Sequence, residues 1–127
     1  MNDEQYLLHC RELLSRFAAD LSNRLQSLQE EDPLRLLADS FSALAKGEGD
    51  LYVDGPALVG RLFTGFPDFA PTFPRELLWF FGGECLHFMP DEEIESYQQL
   101  EQLRLAAAAR GETLDLRAAR AKLLKLQ

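Results

Sequence analysis

A chain of 127 residues, 46% of them hydrophobic, fits one domain with its own core and argues against disorder from end to end. Its net charge of −8 is unevenly placed: residues 1–100 hold 18 acids against 7 Lys/Arg, and residues 101–127 hold 3 against 6. The acidic body repels phosphates and so disfavours nucleic-acid binding, while the basic end suits an acidic surface, this chain's own included.

The first predicted helix runs from Asp3 to Glu30. Leu7, Leu14, Leu21 and Leu28 recur every seven residues, with Cys10 and Phe17 between them, which is a heptad-like seam. Arg24 interrupts it, and Leu8, Leu13 and Leu25 widen the apolar face. Two readings are open: a seam that pairs two copies, or a long helix packed on its own domain.

The second helix has clear punctuation, with Asp32 as N-cap, Pro33 at the first position and Gly47 as its stop. Leu34, Leu37, Ala38, Phe41 and Ala45 share a face. "LYV" at 51–53 reads as a short extended piece, and Asp54-Gly55-Pro56 opens a third helix with Leu58, Val59, Leu62, Phe63 and Phe66 on one side. Pro67, Pro71 and Pro74 forbid a continuous helix through "FPDFAPTFP", which reads as an ordered loop because its Phe residues need burial.

A fourth helix starts near Pro74 and is apolar on all sides through "LLWFF". Gly82 and Gly83 inside a helix would cost about 2 kcal/mol relative to alanines, so they permit a break, a close crossing or room for a ligand. A fifth helix starts near Pro90, where Asp91, Glu92 and Glu93 suit the positive end of the helix dipole. Ile94, Tyr97, Leu100 and Leu103 follow at spacing three, and Gly111 ends it. A basic last helix over about 114–126 places Leu116, Ala119, Leu123 and Leu126 on one face. The sum is an all-α chain, 1–127 as a single helical domain, with five to six helices in a compact bundle and a Pro/Phe-rich loop in the middle.

The N-terminus, "MNDEQYLLHCREL", lacks the basic start and apolar core of a signal peptide. The longest apolar run, Leu77 to Gly83, is far shorter than the roughly 20 residues that span a bilayer. Two Cys in distant positions suit a reduced, cytoplasmic protein, with a Cys10–Cys85 bridge as the alternative.

The chemistry-bearing residues form no established motif. His9-Cys10 and Cys85-x-His87 supply a zinc-like ligand set, but helical neighbours point about 100° apart and residues two apart about 200°, so neither pair converges on one ion. No metal and no cofactor is therefore assigned. Cys85 behind a Gly-Gly break would lie at a helix N-terminus, where a thiol pKa falls, with His87 or His9 as base. Glu84 and His87 stand three apart and would share a face, either buried as an acid/base pair or facing solvent near Arg75 and Glu76. No phosphate loop, dinucleotide fingerprint, HExxH or nucleophile elbow occurs.

Aromatic density stands out instead. Seven of nine Phe lie between Phe63 and Phe88, with Trp79 among them. Bulky aromatics build cores and also build recognition surfaces. Phe69, Phe73, Trp79, Phe80, Gly82, Gly83, Glu84 and His87 are the candidate ligand or partner surface.

The run "DGPALVGRLFTGFPDFAPTFPRELLWFFGGECLHFMPDEE" resembles a family of short uncharacterised bacterial proteins over the central third of the chain. The resemblance implies a cytosolic bacterial protein and carries no activity with it. From the residues, the leading expectation is a non-enzymatic helical interaction or regulatory module, pairing with itself through the first helix or with another protein. The alternatives are a small apolar-ligand (acyl or lipid) binder, and an enzyme using Cys85 with His87 or Glu84.

Overall fold

A computed structural model describes residues 3–112 and Ala119. Five α-helices follow in order: α1 (Asp3–Arg24), α2 (Pro33–Ala45), α3 (Leu51–Gly65), α4 (Arg75–Phe81) and α5 (Asp91–Ala109). Two 3-10 helices, Pro67–Thr72 and Gly83–Phe88, flank α4, and there is no strand among the described residues. The expected basic helix at 114–126 lies outside the described residues, apart from Ala119, which is helical and packs partly buried against the core.

The heptad-like seam of α1 faces the chain's own core. Cys10, Leu14, Phe17, Ala18 and Leu21 are buried, and Leu7 is half-buried, so those side chains are already used within one copy. The helix stops at Arg24 rather than Glu30. Leu25 N–H bonds to Ser22 O at 3.2 Å and Leu28 N–H to Leu25 O at 3.0 Å, which are turn spacings and not helical ones. The turn tucks Leu25 into the core, and the Arg35 guanidinium donates to the Leu28 carbonyl that the turn exposes.

The Asp32 cap of α2 is as expected: its carboxylate accepts from Leu34 N–H at 2.9 Å, with Pro33 in the first turn. The start of α3 differs from the expectation. Asp50 is the N-cap, accepting from Tyr52 N–H at 2.9 Å, while Asp54 accepts from the Asp50 N–H at 2.9 Å. "LYV" is thus the first turn of α3 and not an extended piece. These reciprocal bonds satisfy the Asp50 and Tyr52 N–H groups at the start of a helix that contains Pro56.

The Pro-rich segment is not a bare loop. The prolines exclude an α-helix but permit a 3-10 helix over Pro67–Thr72, closed by Phe73 N–H on Ala70 O at 3.1 Å. Phe73 is thereby driven into the centre of the bundle. Its ring meets Phe17 of α1 at 4.9 Å, Phe63 of α3 at 6.0 Å and Phe41 of α2 at 6.1 Å, two of these edge-on. At 1% exposure Phe73 cannot present a surface, which corrects its place among the candidates.

Gly82 and Gly83 make a break. Gly82 has φ 63° and Gly83 φ 52°, so α4 ends after seven residues and the chain restarts as the 3-10 helix Gly83–Phe88. In α5 the buried stripe is Tyr97, Leu100, Arg104 and Ala107, whereas Leu103 is 45% exposed. A 3.6-residue period alternates steps of three and four, and a strict step of three leaves the face.

Two glycines of α3 separate packing from propensity. A Cβ on Gly55 would run into the Phe81 ring, whereas one on Gly60 would meet nothing. Gly55→Ala is expected to lower stability by about 1–3 kcal/mol through overpacking. Gly60→Ala should raise it by up to ~1 kcal/mol by helix propensity. Urea unfolding of the two variants checks both signs.

Candidate functional site

The residues singled out in the sequence do not converge. Glu84 and His87 are exposed, and Cys85 between them is buried with its thiol free. Cys85 does lie in the first turn after the glycine break, but burial and then Glu84 push its thiol above the ordinary value. A lowered, reactive thiolate is therefore not what this position makes. Arg75 does not serve Glu84: its Nε donates to Glu93 at 2.9 Å and its Nη2 to the Phe88 carbonyl at 3.0 Å. Trp79 stacks on Tyr97 at 6.2 Å, and Phe69 is half-buried beside the core. Both cysteines are free and buried, so there is no Cys10–Cys85 bridge. Among the described residues no group of three His, Cys, Asp or Glu is placed to hold a metal.

A different cluster forms where α1 meets α4 and α5. Glu76 of α4 is 5% exposed, and both its oxygens lie on His9 Nε2, at 2.9 and 3.1 Å. Arg104 of α5 is equally buried. Its Nη2 donates to Glu101 at 2.6 Å and its Nη1 to Asp3 at 2.9 Å. The guanidinium carbon lies 5.0 Å from the centre of the Tyr6 ring. Tyr6 and Cys10 stand one turn apart on α1, and each raises or lowers the titration of the other, which closes the cluster.

Charge in this cluster follows burial. Tyr6 is pushed well above the usual phenol range by desolvation, with Cys10 and Glu76 adding to it. Burial, then the Glu76 carboxylate, pushes the Cys10 thiol up to about 12. Arg104 is raised, first by its bond to Glu101. The cluster thus holds a neutral thiol and a neutral phenol beside a His–Glu and an Arg–Glu contact, which suits positioning of helices more than nucleophilic chemistry.

On its open side the cluster continues as an aromatic strip. The Tyr6 ring lies 6.1 Å from Phe80, Phe80 lies 5.7 Å from Tyr52 of α3, and Phe81 lies 5.3 Å from Phe80. Tyr6, Phe80 and Phe81 are half-buried, and Tyr52 is 60% exposed. Of the sequence candidates, Phe80 belongs to this strip. Tyr6, Tyr52, Glu76 and Arg104 were not among the candidate surface residues, and His9 was considered only as a zinc ligand or a base for Cys85. One signal was readable: Arg104 occupies a core step of the α5 stripe, where a charge must find a buried partner.

A separate cleft of ≈ 410 Å³ lies between α2 and α3, lined in part by Ser40, Glu48, Asp54 and Arg61. No helix among the described residues is long and apolar enough to cross a membrane.

A family model described as PA2817-like, of uncharacterised proteins, matches residues 2–127, the whole chain and not only its central third. No curated protein and no solved structure matches the chain.

Three outcomes follow from the cluster. Removing Arg104 as Ala strands Glu101 and the Tyr6 face and should cost about 2 kcal/mol, below the ~3–5 of an enclosed pair because Asp3 is open to solvent. Denaturant melts measure it, and Asp3→Asn should cost well under half as much. A mild thiol reagent at neutral pH should label neither cysteine until urea unfolds the chain. Finally, a thiol held protonated in the fold stabilises it fully below the unfolded value of 9.0, and that stability is lost as pH rises towards about 12. Stability should therefore fall over this window, and Cys10→Ala should flatten the slope.

Proposed function

We propose that this chain, which belongs to the PA2817-like family, is a non-enzymatic helical protein-interaction module. The observation that carries the reading is the aromatic strip Tyr6–Phe80–Tyr52, which leaves the bundle and opens to solvent at Tyr52. Aromatic side chains that are half-buried on one side and open on the other are the usual anchors of protein interfaces.

The competing readings have less support. Both thiols are buried and shifted away from the thiolate, which weighs against Cys85 as a nucleophile. The cleft between α2 and α3 sets Glu48, Asp54 and Arg61 beside Leu44, Ala57 and Leu58, a mixed lining and not the predominantly apolar one that suits an acyl chain. Self-pairing through the α1 seam would require Leu14, Phe17 and Leu21 to leave the core, so a second copy would need another face.

The reading is tested on the full chain by light scattering and by affinity capture at physiological salt. A mass above the monomer, or a partner recovered in stoichiometric amount and retained through washing, is expected. A strict monomer that retains no stoichiometric partner would sink it.

A further inference from the structure

The interaction-module reading leaves the chemistry of the partner open, and the strip itself narrows it. We infer that the Tyr52–Phe80 surface receives an arginine side chain from a partner protein's basic segment, stacked on the aromatic faces. The inference rests on the reading above and adds the class of side chain recognised.

The first support is internal. The strip already holds one guanidinium, because Arg104 lies over Tyr6 at 5.0 Å on the buried flank. The next rings along it, Phe80 and then Tyr52, follow at 6.1 and 5.7 Å, with planes tilted by 59° and 39°. Tyr52, at 60% exposure, offers the same kind of face to solvent. An arginine stacks on such rings better than a lysine, since its planar, weakly hydrated head loses less on contact.

The second support is charge complementarity. Asp50 and Asp54 lie within one turn of Tyr52 and are exposed. Each uses a carboxylate oxygen to cap the start of α3, and neither is in an ion pair among the described residues. Of the two, Asp50 has its carboxylate on the Tyr52 N–H, whereas Asp54 is turned to the cleft with α2; the acidic body, 18 acids against 7 Lys/Arg over residues 1–100, steers a basic segment towards the chain. The same field turns nucleic acid away.

The experiment uses the full chain and two capped hexapeptides, one of arginine and one of lysine, at physiological salt. Tyr52 and Phe80 ring signals are followed by nuclear magnetic resonance. The arginine peptide should shift both rings and bind about three- to tenfold tighter than the lysine peptide, the range for cation–π contact with two rings. Tyr52→Leu keeps an exposed apolar side chain, so folding is preserved, and should weaken arginine binding about two- to fivefold and lysine binding by a smaller factor. Equal binding of both peptides, or arginine binding that Tyr52→Leu does not weaken, would overturn the inference. So would ring shifts that follow protein concentration in the absence of peptide, which would assign the strip to a second copy. A stoichiometric partner that wild type and Tyr52→Leu retain equally would leave the interaction-module reading standing while removing this one.

Discussion

Phe73 is the point through which the packing of this bundle runs. It lies outside every α-helix, yet its ring touches α1 through Phe17, α2 through Phe41 and α3 through Phe63. Burying one Phe contributes on the order of 1.5–3 kcal/mol from area alone. Its larger effect is geometric. Pro71 and Pro74 bracket it, and the 3-10 turn before it leaves the backbone few alternatives, so the ring enters the core at a fixed place. Where Phe73 is fixed, α4 must start two residues later, and that start decides which α4 side chains face α1.

The consequence is an unusual division of α4. Leu77 and Leu78 complete the apolar core, while Glu76, one residue earlier, is carried inward as well. A buried carboxylate without a partner would cost several kcal/mol, on the order estimated for an isolated buried charge. The His9 hydrogen bond offsets that cost, and because His9 is on α1, the contact is also a tertiary one. Arg104 acts likewise between α5 and the first turn of α1. The N-terminal half of α1 is therefore held by directional polar contacts, and its middle, from Leu14 to Leu21, by apolar ones. Directional contacts fix rotation about the helix axis, and that rotation sets Tyr6 against Phe80.

Much of this architecture was readable because local chemistry and global packing agree. Asp32-Pro33 starts α2 and Pro90 precedes α5, while the core seam of α1 and the end of α4 at Gly82 are each one of the alternatives the sequence left open. Disagreements arose where hydrogen bonds substitute for a pattern. The Asp50–Asp54 box extends α3 backwards over "LYV", and Arg35 closes a turn where the apolar pattern of α1 continues through Leu25 and Leu28. The site was less legible than the fold for a physical reason. His9 and Glu76 are 67 positions apart, and Arg104 and Asp3 are 101 apart. No spacing rule connects such residues, because only the completed bundle brings them together. The run from Phe80 to His87 drew attention by composition, but its glycine break sends Phe80 and Glu84 into different elements.

The break at Gly82 also explains why an aromatic surface is present at all. Had α4 continued, its next turns would have carried Leu86 and Phe88 along the same axis, and the helix end would not lie beside α3. Instead Gly82 turns the chain with a backbone conformation closed to other side chains at low cost, and Cys85 and Met89 return to the core. Trp79, Phe80 and Phe81 are left on the last turn of a seven-residue helix. They are covered only in part. Phe81 finds its place over Gly55, where no Cβ intervenes, and Phe80 bridges Tyr6 and Tyr52. The exposed aromatic strip is thus the direct product of ending a strongly apolar helix early, and the two glycines that end it belong to the surface they create.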